Sequence, residues 1–118
     1  MIQEEELLHR AVKPKALFWN DKTGKITSAL FKDSKGVSVD VNNGRSDTEV
    51  KIFFQSQFPD LKGEARVQTK LCRDKSCRVE LNPIENNQNH ALILGEVNTK
   101  LTSGQAKYLS RNCMVILY

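Results

Sequence analysis

Long apolar runs are absent from this chain of 118 residues. None approaches the ~20 residues that a helix needs to cross a bilayer. No secretory leader is expected: Met1-Ile2-Gln3-Glu4-Glu5-Glu6 is acidic, where a leader would open basic and then turn apolar. A cytoplasmic location is expected. Three cysteines, an odd and small number, suit a reducing compartment and exclude a disulfide-dense scaffold. Cys72-x4-Cys77, with His90 and Cys113 further on, is only borderline against the tighter knuckles of structural zinc sites, and the strand register read below sets Cys72 and Cys77 apart, so no metal is expected. There is no glycine-rich phosphate loop, no HExxH and no GxSxG, which removes the common P-loop, zincin and α/β-hydrolase chemistries. No cofactor is expected.

What is present is ordinary globular material, 39% hydrophobic and 27% charged, in a length that suits one domain over residues 1–118. Residues 3–13 carry both patterns. Gln3 to Glu6 favour a helical first turn, whereas Leu8, Arg10 and Val12 alternate with Leu7, His9 and Ala11 as in a strand. Leu17-Phe18-Trp19 reads as a short buried strand. Ile26–Lys32 and Val37–Val41, flanking Asp33-Ser34-Lys35-Gly36, read as a hairpin. Ser46 and Glu49 form a capping box ahead of an apolar stripe of Val50, Phe53, Phe54 and Phe58, which predicts a helix closed by Pro59. Residues 64–81 read as a second hairpin, with Leu71 opposite Cys77, Thr69 opposite Val79 and Val67 opposite Leu81. That register leaves Cys72 exposed in the loop. A strand over His90–Glu96, a helix over Ser103–Arg111 capped by Thr102 and Gln105, and an apolar closing segment Met114–Leu117 complete the pattern. Separate strands and helices, without βαβ alternation, predict an α+β fold: a largely antiparallel sheet of about five to six strands with two short helices.

Charge is concentrated. Residues 62–78 hold six basic and two acidic side chains, an excess equal to the +4 of the whole chain. In the predicted second hairpin Lys70 lies directly across from Arg78, an unfavourable apposition that a bound anion would relieve. Arg66, Lys70, Arg73, Lys75 and Arg78 are therefore the candidate contacts for a protein partner or an anionic ligand. No aromatic residue lies in this stretch, so base stacking is not expected there and nucleic acid is not the favoured partner.

A second constellation is made of polar residues set among apolar strands: Arg10, Ser28, Ser38, Asp40 and His90, with His9 beside them. If these converge, Arg10 would bind an anionic group and His90 would act as acid or base.

The blocks Leu8-His9-Arg10-Ala11-Val12, Thr27-Ser28-Ala29-Leu30-Phe31, Val37-Ser38-Val39-Asp40 and His90-Ala91-Leu92-Ile93-Leu94-Gly95 occur in that order. They resemble a set of small, uncharacterised bacterial proteins. Those carry an early Arg, a Ser-x-x-Phe block, a Ser-Val-Asp block and a late His-Ala block before a Gly. The resemblance covers chiefly residues 8–40 and 90–95 and implies a bacterial source without an assigned activity. Its matching positions include the polar residues of the second constellation.

Two functions follow as expectations. The first is a non-enzymatic binding or accessory domain that docks a protein or anionic ligand through the basic hairpin. The alternative is a small enzyme or ligand-binding protein acting on a nucleotide or other phosphorylated molecule through the Arg/Ser/Asp/His pocket.

Overall fold

A computed structural model describes residues 2–118. Its centre is β1 (Leu7–Val12), which resolves the two-way pattern of residues 3–13 as a strand. β1 pairs antiparallel with β4 (Val37–Val41) on one side and β5 (Gly63–Gln68) on the other. Outward from β4 come β7 (His90–Leu94) and β6 (Arg78–Leu81); outward from β5 comes β8 (Met114–Leu117). The result is a six-stranded antiparallel sheet in the order β6-β7-β4-β1-β5-β8. A two-stranded ribbon of β2 (Trp19–Asn20) and β3 (Lys25–Ile26) stands apart. Three helices complete the α+β fold: α1 (Asp47–Gln57), α2 (Thr69–Asp74) and α3 (Ser103–Asn112).

The sheet has one dry face. Leu8, Val37, Val39, Ala65, Val67, Ala91 and Ile93 share it, because directly paired residues point the same way. Leu101, Ala106 and Leu109, in and just before α3, join that cluster together with Leu30 and Phe31. The opposite face carries His9, Ser38, Asp40, Glu64, Arg66 and His90. α1 covers part of this second face. It buries Val50 and Phe54 outside the main cluster, and Asp47 reaches Arg66 at 2.9 Å. Both long helices begin with the capping boxes read from the sequence, Ser46 with Glu49 and Thr102 with Gln105.

Neither expected hairpin forms. Ser28–Phe31 is a single 3-10 turn, not a strand, and β3 pairs with β2. Leu30 and Phe31 are adjacent and both fully buried in the same cluster. A strand would send them to opposite faces, whereas a tight helical turn can bring both inward. Gly36 keeps its expected role, at φ +96° just before β4.

The second hairpin fails more completely. β5 and β6 are separated in the sheet by β1, β4 and β7. After Gln68 the chain turns into α2, because Thr69 and Cys72, three residues apart, both have no exposed surface. Helical spacing puts them on one face and strand spacing would not. Thr69 is anchored by its backbone N and Oγ1, which both donate to the Glu6 carbonyl, at 3.0 and 2.9 Å. Cys72 is thus buried rather than exposed, and the apposition of Lys70 with Arg78 does not exist. Among the described residues no helix is long and apolar enough to cross a membrane.

Candidate functional site

The floor of the site is built where β1, β4 and β7 lie side by side. His9 pairs with Asp40, and Asp40 with His90, so three strands place these side chains in one row on the second face. Ser38 lies one pleat along β4 on the same face. Above the row, α1 presents Phe53 and Phe54, and Phe58 follows at its C-terminal cap. The segment after Pro83 contributes Ile84 and Asn87. Between floor and roof lies a cleft of about 410 Å³.

Arg10 closes one end. The β1–β4 ladder stops after His9 and Asp40, and the Arg10 guanidinium bridges the parted strands. Its Nη1 donates to the Ser38 carbonyl at 2.9 Å and its Nε to the Leu30 carbonyl at 3.1 Å. Those carbonyls are neutral acceptors, so no bonded carboxylate neutralises the cation. Burial pushes its pKa down, opposed by the charge of Asp33, which also lines the cleft. Lys13 lines the same end, its Nζ 5.3 Å from the centre of the Phe58 ring.

Asp40 is fixed rather than free. Arg45 Nη2 donates to Oδ2 at 3.1 Å, and Asn87 Nδ2 donates to Oδ1 at 2.8 Å. The same arginine sits 5.6 Å from the Phe53 ring centre, which ties the roof to the floor. His90 Nδ1 lies 2.8 Å from the Asn82 carbonyl oxygen. That oxygen can only accept, so Nδ1 carries a proton, and in the neutral ring Nε2 is the lone-pair nitrogen.

Beside the floor, on the same face of the sheet, is a buried ionic cluster. His9 Nδ1 donates to Glu64 Oε1 at 2.5 Å, and Nε2 lies 2.9 Å from the side-chain amide of Asn42. Arg66 Nε donates to Glu64 Oε1, and the Tyr118 hydroxyl to Oε2, each at 2.7 Å. Burial alone would raise the Glu64 pKa, but these donors overcome it and hold the carboxyl at about 2. Burial and the adjacent carboxylate push the Tyr118 phenol up.

Four of the five pocket residues proposed from the sequence therefore line one cleft: Arg10, Ser38, Asp40 and His90. Ser28 does not; it lines a separate groove beside Lys25 and Arg111. The aromatic roof was read only as a helix stripe, and the same i, i+3, i+4 spacing places its half-buried members over the cleft. Glu64 is fully buried, and nothing local in the sequence marks it so.

Of the five cations of the basic segment, three are paired with carboxylates. Arg66 is held by Glu64 and Asp47, Lys70 by Asp74 and Arg78 by Glu80. Arg78 Nε also donates to the Gly95 carbonyl at 2.9 Å. Lys75 stacks 4.6 Å from the Tyr108 ring centre. Arg73 lies on α2.

The cysteines are free thiols, and burial pushes Cys72 up to about 12 and both Cys77 and Cys113 to about 11. Among the described residues no three His, Cys, Asp or Glu side chains are grouped as a metal site would require. No family model, curated protein or solved structure matches the chain.

Proposed function

We propose that this protein binds a small phosphorylated molecule with a planar moiety, a mononucleotide or close relative, in the cleft between α1 and the sheet. The observation that carries the reading is Arg10: a half-buried guanidinium at the end of an aromatic-roofed cleft, bonded to carbonyls and to no carboxylate among the described residues. Removing a cation from water is costly unless a counter-charge is supplied. A phosphate at that end, shared with Lys13, supplies it. The planar moiety would lie under Phe53 and Phe58, where ring stacking contributes about 1–3 kcal/mol per base. Ser38 and His90 offer hydrogen-bonding groups along its edge. A volume of about 410 Å³ falls in the lower part of the range usual for small-molecule sites. The basic-hairpin reading loses its support, since the hairpin and its apposed cations are not formed.

The test is calorimetric titration and thermal melting with AMP, adenosine and ribose 5-phosphate. AMP at a hundred times its Kd is expected to stabilise the fold by about 2.7 kcal/mol, with adenosine and ribose 5-phosphate each binding more weakly. Ser38→Trp fills the cleft from an exposed strand position; it should abolish binding while the far-UV spectrum and melting cooperativity persist. If no nucleotide or sugar phosphate changes the melting midpoint, the proposal fails.

A further inference from the structure

Two features on the opposite side of the molecule point to a second binding surface. The first is the outer edge of β8. Among the described residues β8 pairs only with β5, leaving its other edge without a neighbouring strand. Edge strands are ordinarily guarded by charge, proline or a bulge. The other edge of this sheet, β6, carries Arg78 and Glu80. β8 is Met-Val-Ile-Leu, with Met114 63% and Leu117 58% exposed.

The second feature is the groove beside that edge. Ile26, Cys113 and Val115, all half-buried, give it apolar contacts, while Lys25, Lys107 and Arg111 give it three cations. No carboxylate lines the groove. Arg10, Arg45, Arg66 and Arg78 each donate to carbonyls or carboxylates, whereas no such side-chain bond is made by Arg73 or by Arg111 among the described residues. Val115 pairs with Ala65, so it stands on the dry face of β8 and joins the edge to the groove.

We propose that an extended acidic peptide segment docks here, adding an antiparallel strand to β8. In such a strand alternate side chains fall on the groove side. There apolar ones would meet Ile26 and Val115, and acidic ones Lys25, Lys107 and Arg111. A nucleic-acid strand fits less well: no aromatic ring lines the groove for a base to stack on, and the apolar contacts would go unused.

The probe is a fluorescein-labelled Glu-Ser-Val-Ser-Glu-Ser-Val-Ser octapeptide (the Glu-Val peptide), which sets glutamate and valine on one strand face, read by anisotropy, with its lysine-for-glutamate counterpart (the Lys-Val peptide) and a single-stranded oligonucleotide as comparisons. The Glu-Val peptide is expected to bind, weakening with added salt, and Lys107→Glu with Arg111→Glu should weaken it at least tenfold. Both positions are exposed, so folding is not at risk. Hydrogen exchange should slow in residues 113–118 when the peptide binds, a readout that charge attraction alone would not move. Equal binding of the Lys-Val peptide, displacement by the oligonucleotide at lower concentration, or unchanged exchange in 113–118 would each overturn the proposal. So would self-association through β8 that the double variant leaves intact, since the edge would then be an interface between copies.

Discussion

Glu64 has no exposed surface, yet it carries three side-chain hydrogen bonds from His9, Arg66 and Tyr118. Its folded pKa, about 2, lies below the ordinary value of 4.5. A carboxyl with a depressed folded pKa adds stability above its unfolded pKa and loses it as pH falls toward the folded one. Stability should therefore be full above pH 4.5 and decline between pH 4.5 and 2, by up to about 3 kcal/mol from this group. Urea midpoints measured at pH 7, 4.5 and 2.5 read this directly. Glu64→Gln keeps the shape but removes the charge that His9 and Arg66 face, and should cost about 3 kcal/mol at pH 7. It should also flatten the acid dependence; a variant with the parent's slope below pH 4.5 would refute the assignment. Nothing near Glu64 in the sequence distinguishes it from a solvated charge. Its burial depends on β1, β8 and α1 arriving from distant parts of the chain, and only the assembled face reveals it.

At the scale of elements, local signals were legible and partner choice was not. α1 and α3 were readable because a cap and a 3.6-residue stripe lie within one segment. Ser46→Ala should cost about 1 kcal/mol by releasing the Glu49 amide, seen as a lower melting midpoint with unchanged enthalpy per residue. The strands β4, β7 and β8 were readable from alternation or apolar runs for the same reason. The two hairpins were misread where a strand-like stretch ended sooner than its alternation did. In Ala65, Val67, Thr69, Leu71 the period of two runs on through Thr69, yet Thr69 and Cys72 bury together as one turn of α2. A six-residue helix is too short for its own period to outweigh the pattern preceding it. Gly63 shows a different kind of hidden constraint. A side chain there would place Cβ 2.1 Å from the Ile116 carbonyl oxygen, so Gly63→Ala should loosen β8 from β5 and accelerate exchange in residues 113–118.

For the whole molecule, the sheet order sets how opening is distributed. The central strand β1 joins β4 and β5, neither adjacent in sequence, so the core closes only when distant segments meet. Cys72 on α2 and Cys77 just before β6 both belong to that core, at 0% and 4% exposure. Cys113 lies outside it in exposure, half-buried between α3 and β8. A thiol must be reached and ionised to react, and burial opposes both for all three. Cys113 needs only a local opening of the segment entering the β8 edge. Cys72 and Cys77 need the packing of α2 and β6 against the sheet to come apart, an event that should approach global unfolding. Labelling with a thiol reagent at neutral pH should therefore modify Cys113 first. Cys72 and Cys77 should follow together, at a rate that rises with urea as steeply as unfolding does. If AMP occupies the cleft as proposed, it should slow that second phase by stabilising the folded state and leave the first unchanged. If Cys72 reacted as fast as Cys113, or without sensitivity to urea, α2 would be an independently opening flap rather than part of the core.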